Sequence, residues 1–194
     1  MNNPLVHPLK SNDKELLFKS LSLVNRFYHI AGIKPTIRRS ISDTMLIIAK
    51  ELNDTSLLRM AYFNLATSTY KLESINFYKE CLLYVDSNNY SFLSSIYNNI
   101  SGRYRSVNEL DNAILYADSA MMYSNLAKRD EGVAAALYRK GEAYYFKNDY
   151  DKSLKYGLEA LEKFKKANIL RRQDMCAHLI SVSYQGLGKY KEAL

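Results

Sequence analysis

One constellation of residues recurs three times at a separation of 40 residues, and no other feature of the chain constrains its fold as tightly. Tyr97, Leu137 and Ala177 align, as do Ser101, Gly141 and Ser181, then Tyr104, Tyr144 and Tyr184, then Leu110, Tyr150 and Tyr190. Ala113, Ser153 and Ala193 share a small position, followed by Ile114, Leu154 and Leu194. Asn108, Asn148 and Gly188 share a position between the two halves of each copy, where a left-handed residue can end one helix. Glu109 and Asp149, just beyond, suit the first turn of the next helix. Large apolar residues at helical spacing flank one small residue per helix, the pattern of two antiparallel helices in close contact. A helix of about 17 residues is roughly 25 Å long, so such a hairpin is too thin to bury its own face and must stack on a neighbour. The expected fold is all-α, an α-solenoid of antiparallel helix hairpins with about nine helices and a truncated tenth.

The hairpins are expected at 89–127, 130–167 and 170–194, with a degenerate copy at 55–87 and a divergent one at 12–52. In the copy at 55–87, Tyr62, Leu65 and Ala66 mark the first helix and Ser74, Tyr78, Cys81 and Leu82 the second. At 12–52, Leu16, Leu17, Leu21, Leu23, Val24 and Tyr28 mark one helix and Ile37, Ile41, Met45, Leu46 and Ala49 the next, punctuated by Gly32 and Pro35. Asn12 and Glu15 have the spacing of a helix-start capping box, which leaves 1–11 as a lead-in. No linker interrupts the chain, so 1–194 reads as one solenoid domain. The last repeat reaches about five residues into its second helix by this alignment. Its uncapped end calls for either a continuing chain, the favoured expectation, or a second copy forming a homodimer.

Leu137, Gly141, Tyr144, Ser153 and Ala160, with the run GEAYYFKNDYDKSLKY, resemble a tetratricopeptide (TPR) repeat. Tyr97, Ile100, Ser101, Tyr104, Ala113 and Ala120 resemble a second copy, and Ala177, Ile180, Ser181, Tyr184 and Ala193 begin a third. Lys140 stands where the family has Leu, and Gly157 where it has an aromatic residue, which predicts looser packing there. The spacing exceeds the family's common one of about 34 and resembles the extended units of bacterial peptide-sensing regulators and of sensory regions in signalling proteins.

The resemblance implies a right-handed superhelix whose first helices line a concave groove. It assigns to that groove Met60, Phe63, Asn64, Thr67 and Tyr70; Ser95, Asn98, Asn99, Gly102 and Arg105; Ala135, Tyr138, Arg139, Glu142 and Tyr145; and Met175, His178, Leu179, Val182 and Gln185. The peptide-contact candidates among them are Phe63, Asn64, Tyr70, Asn98, Asn99, Arg105, Tyr138, Arg139, Glu142, Tyr145, His178 and Gln185. Asn amides both donate and accept, as a peptide backbone does, and aromatic rings offer stacking. Asn99 and Arg139 match two of the five carboxylate-clamp positions of chaperone-binding relatives, while Phe63, Thr67 and Ala135 do not, leaving Arg139 to pair with a single carboxylate. The implied function is a non-enzymatic scaffold for a protein or peptide partner. The alternative is a sensory or regulatory input region of a larger bacterial signalling protein, a histidine kinase or transcriptional regulator with its output domain beyond residue 194.

Other chemistries lack parts. Cys81 and Cys176 have no CxxC or Cys/His spacing, His7, His29 and His178 fall at unrelated repeat positions, and no HExxH, GxSxG or Walker loop occurs. No catalytic residue, cofactor or metal is therefore expected. Gly186 and Gly188 fall at an interhelical turn without a preceding strand, unlike a nucleotide loop. The longest apolar run, residues 133–138, is far short of the roughly 20 residues that span a bilayer. The net charge of +7 is unevenly spread, with +5 in residues 1–50, −2 in 51–100, zero in 101–150 and +4 in 151–194. That neutral middle breaks the basic stripe a nucleic-acid partner requires. The polar start MNNPLVHPLK lacks the apolar core of a secretory signal, which leans toward the cytoplasm; a trimmed signal would instead fit an extracytoplasmic sensor. The periodic Tyr104, Tyr144 and Tyr184 read as packing residues.

Overall fold

A computed structural model describes residues 10–193, and among them the chain forms nine helices and no strand. The helices fall into two compact units, Met1–Tyr84 and Val85–Leu194. The lead-in up to residue 9, including His7, and Leu194 lie outside the described residues.

The first unit holds α1 (Ser11–Ile30), α2 (Pro35–Leu52), α3 (Thr55–Ser68) and α4 (Lys71–Leu82). Gly32, at φ 69°, makes the turn after α1, and Pro35 opens α2 at a position where its missing N–H costs no helical bond. Asn53 takes the left-handed conformation after α2, and the Asp54 carboxylate caps α3 by accepting from Leu57 N–H at 2.9 Å. No capping box forms at Asn12 and Glu15. The helix starts one residue earlier, Lys10 occupies the N-cap without a side-chain bond, and Asn12 lies within the first turn. Phe18, Met45, Ala49, Ala61, Leu65, Ile75, Tyr78 and Cys81 build the core of this unit. On α1 the buried residues are Phe18 and Asn25, whereas Leu16 and Leu23 are 66% and 67% exposed. The inward stripe of α1 is narrow because α2 is its main neighbour.

The second unit is more regular. Its helices α5 (Tyr90–Ser106), α6 (Leu110–Leu126), α7 (Asp130–Phe146), α8 (Tyr150–Lys166) and α9 (Leu170–Gly186) each have 17 residues, joined by three-residue turns. Every turn has a left-handed middle residue, namely Asn108, Lys128, Asn148, Asn168 and Gly188. The residue after each donates its N–H back across the helix end: Glu109 to Tyr104 O, Arg129 to Ser124 O, Asp149 to Tyr144 O, Ile169 to Phe164 O and Lys189 to Tyr184 O, all at 2.9–3.0 Å. This is the Schellman closure, which satisfies carbonyls that a bare helix end leaves open. Asp149 then caps α8 through Lys152 N–H. Helix and turn together thus repeat every 20 residues, half the sequence rhythm.

The small positions form the seam of each hairpin. Ser101 Oγ donates to Ala113 O at 2.7 Å and Ser181 Oγ to Ala193 O at 2.6 Å, while at the equivalent Gly141 a Cβ would lie 3.3 Å from Ser153 O and 2.9 Å from Leu179 Cδ2. Tyr104 stacks on Tyr116 at 5.1 Å and Tyr144 on Tyr156 at 5.5 Å, so these periodic tyrosines pack within their hairpins. Neither departure from the repeat loosens the packing. Lys140 reaches Asp118 at 2.7 Å and lays its ammonium over the Tyr156 ring at 4.7 Å, and the space beside Gly157 is filled by Ile180, whose Cγ1 would sit 3.2 Å from an added Cβ. Residues 190–193 form a turn where the alignment places the start of a tenth helix.

Two substitutions test this seam and these turns. Gly141→Leu should destabilise by about 1–3 kcal/mol, because its branches must enter space held by Leu179 and the Ser153 carbonyl. Urea unfolding with an unchanged midpoint would contradict the close approach. Lys128, the one left-handed turn residue of this unit that is neither Asn nor Gly, carries a steric cost glycine avoids. Lys128→Gly should therefore raise the unfolding midpoint, by up to about 1 kcal/mol of stability.

Candidate functional site

In the second unit α5 neighbours α7 and α7 neighbours α9, bringing the first helices of successive hairpins side by side. Their N-terminal halves enclose a pocket of about 240 Å³. Ser94, Ser95, Asn98 and Asn99 come from α5; Arg129, Glu131, Gly132 and Ala135 from the turn and first residues of α7; and Arg172 from the first turn of α9. Arg129 and Glu131 are held loosely at 3.9 Å, and Arg172 lies over the Phe164 ring at 5.5 Å. Two arginines against one glutamate make the wall net positive. Asn98 Oδ1 is sealed from solvent and accepts no hydrogen bond, a condition it shares, among the described residues, only with the unbonded nitrogen Arg105 Nε. A buried acceptor without a donor costs roughly 1–3 kcal/mol.

A second cluster sits further along α5 and α7. Glu142 is mostly buried and holds two cations: Arg139 Nη1 at 2.7 Å from Oε2, and Arg105 Nε at 3.6 Å from Oε1. Arg105 also lies over the Phe146 ring at 5.2 Å, and Arg139 fills the space beside Gly102. The Tyr138 phenol is pushed up to about 12, first by burial and then by the neighbouring Glu142 charge. Arg139 is therefore engaged with Glu142 rather than free for a ligand carboxylate. Burial also raises both thiols, Cys81 to about 12 and Cys176 to about 11, so each stays protonated near neutrality.

The expected contact residues separate into several places. Asn98 and Asn99 share the pocket, and Arg105, Tyr138, Arg139 and Glu142 share the charged cluster. Tyr145 packs against Phe146 and Tyr150. His178 lies on a separate, more apolar surface with Leu158, Leu161 and Ile180, and Gln185 is exposed near the end of α9. In the first unit Phe63 meets Tyr78 edge-on at 5.9 Å, and Asn64 donates to Met60 O and accepts from Asn25. Tyr70 lies beyond the end of α3, at the N-cap of α4. Sequence reasoning missed Arg129 and Arg172. Position 172 is three residues before Met175, as Gly132 is before Ala135, so extending the groove pattern by one helical turn would have found it.

No protein-family model and no curated protein matches the chain. Solved structures do. BtubC (BKLC) from P. vanneervenii superposes with a TM-score of 0.73 at 19% identity, over 93% of this chain and 77% of that one. A Rap protein complexed with Competence and Sporulation Factor gives 0.74 at 19% identity, over 92% of this chain and 51% of that one. A Podosopora anserina protein described as a kinesin light chain with nearly identical TPR-like repeats gives 0.68 at 16% identity, over 91% and 89%. The fold is thus a TPR-like α-solenoid. The chain spans about half the length of the Rap chain.

Proposed function

We propose that the chain is a non-enzymatic interaction scaffold that binds a peptide segment of a partner on the face formed by α5, α7 and α9. The observation that carries this reading is Asn98 Oδ1, an acceptor sealed without a donor in the wall of a pocket. Rotation of the Asn98 side chain turns Oδ1 into the pocket, where a backbone N–H of an extended peptide supplies the missing donor, and Asn99 can pair with the next peptide group. Arg129 and Arg172, with only Glu131 between them in the lining, favour a segment carrying a carboxylate. The Rap likeness lends support, since that protein was solved with a second factor bound.

The same comparison favours a second reading, an input region of a longer regulatory protein, because the matched Rap chain is about twice as long as the matched segment. Ligand-dependent hydrogen exchange separates the two. A passive scaffold slows exchange at the pocket alone, whereas a regulatory region tightens across all five helices of the unit.

Panning a displayed random-peptide library against the chain tests the site. Acidic peptides should enrich, and the Asn98→Ala, Arg172→Ala double variant should weaken their binding roughly 10- to 100-fold or more with helicity intact by circular dichroism. Undiminished binding by that variant would remove the pocket from consideration.

A further inference from the structure

Among its described residues, the first unit contains a buried cation without a carboxylate counter-ion. Arg38, in the first turn of α2, is 6% exposed, yet no carboxylate lies within ion-pair distance of it among the described residues. Its protein partners are neutral: Nε donates to Asn25 Oδ1 at 3.3 Å and Nη2 to Thr67 Oγ1 at 3.2 Å. Those partners are themselves fixed. Asn25, 1% exposed, donates to Ser42 Oγ at 2.8 Å and to Asn64 Oδ1 at 3.1 Å, and Thr67 Oγ1 donates to Asn64 O at 2.9 Å. The network positions the guanidinium without neutralising it.

A guanidinium has five N–H donors, and two are used here. Among the described residues Nε and Nη2 carry the side-chain hydrogen bonds of Arg38, and Nη1 is not among the polar atoms both sealed and unbonded, so the 6% of Arg38 that stays exposed leaves this edge within reach of a ligand. A solvated arginine has no need of so rigid a cradle, and a buried charge is costly unless paired. The C-terminal end of α3, where Thr67 lies, offers partial compensation through its dipole. That compensation is incomplete: burial holds the Arg38 guanidinium below its ordinary range despite the nearby phenols of Tyr70 and Tyr78, and His29 is held down by burial and then by Arg38 itself. The neighbouring cation, Arg39, is already taken by Asp43 at 3.0 Å and Glu73 at 2.8 Å.

We infer that Arg38, held by Asn25 and Thr67, is a binding site for a single carboxylate supplied from outside the unit. The open edge of the guanidinium matches the two oxygens of a carboxylate. A lone positive charge balances a monoanion, whereas a phosphate dianion needs a second cation, and Arg39 is committed elsewhere. The site is independent of the Asn98 pocket, sharing no residue with it.

The test uses the whole chain titrated with sodium acetate, with ionic strength held constant by sodium chloride, and follows the arginine Nε–H cross peaks by ¹H–¹⁵N NMR together with the melting temperature. One cross peak, assigned by its loss in Arg38→Lys, should shift saturably, and the melting temperature should rise along the same curve. Arg38→Gln, which keeps a donor for Asn25, should weaken acetate binding roughly 10- to 100-fold. Inorganic phosphate at the same ionic strength should bind more weakly than acetate. An Arg38 cross peak indifferent to acetate overturns the inference, as does undiminished acetate binding by Arg38→Gln or tighter binding of phosphate. If Arg38→Gln fails to fold, the wild-type titration decides alone.

Discussion

The left-handed residue that closes each helix of the second unit governs what the rest of that unit can do. With Asn108, Lys128, Asn148, Asn168 or Gly188 at φ between 52° and 72°, the following N–H folds back onto a carbonyl five residues earlier and the helix stops. Five equal helices follow, and equal helices keep facing positions in step. Ser101 therefore meets the carbonyl of Ala113 as Ser181 meets that of Ala193, and Tyr104 stacks on Tyr116 as Tyr144 does on Tyr156. A change of one residue in the length of any helix would turn the positions beyond it by about 100° and take the small residue out of the seam.

Where chemistry and conformation coincide, the fold is legible from residue types. Asn and Gly mark the turns within hairpins because they tolerate the left-handed backbone, and the small residues mark the seam because only they admit a backbone at that distance. Lys128 has the same conformation with none of the usual chemistry, which is why the 20-residue period lay hidden inside the 40-residue one. In the first unit hydropathy is a poor guide. The inward face of α1 carries Asn25, hydrogen-bonded to Ser42, Asn64 and Arg38, so part of that interface is polar while Leu16 and Leu23 face outward. A pattern search for apolar periodicity has no term for a buried amide satisfied by three partners.

The candidate site was legible in the same partial way. Helical spacing places Asn98 and Asn99 on the face where a pocket lies, but it says nothing of which polar atoms remain unpaired. Arg139 and Glu142 stand three residues apart, the distance at which side chains on a helix meet, and that local pairing determines Arg139's partner before any ligand arrives. Tyr70, which the resemblance assigns to the groove, lies outside the first helix of its hairpin, because α3 has only 14 residues and ends at Ser68.

Repeat architecture explains where such departures are tolerated. Within the second unit each hairpin packs on the next, so an irregular residue is compensated locally, as Lys140 is by Asp118 and Tyr156, without disturbing the seam elsewhere. Positions equivalent by the repeat but different in chemistry then carry whatever is not structural. Asn98 corresponds to Tyr138 and His178, and Arg172 to Gly132 and Phe92; none of these sets is interchangeable in shape or charge. The seam keeps its small residues in every copy because backbone distance demands them, while the pocket combines residues that no other copy repeats.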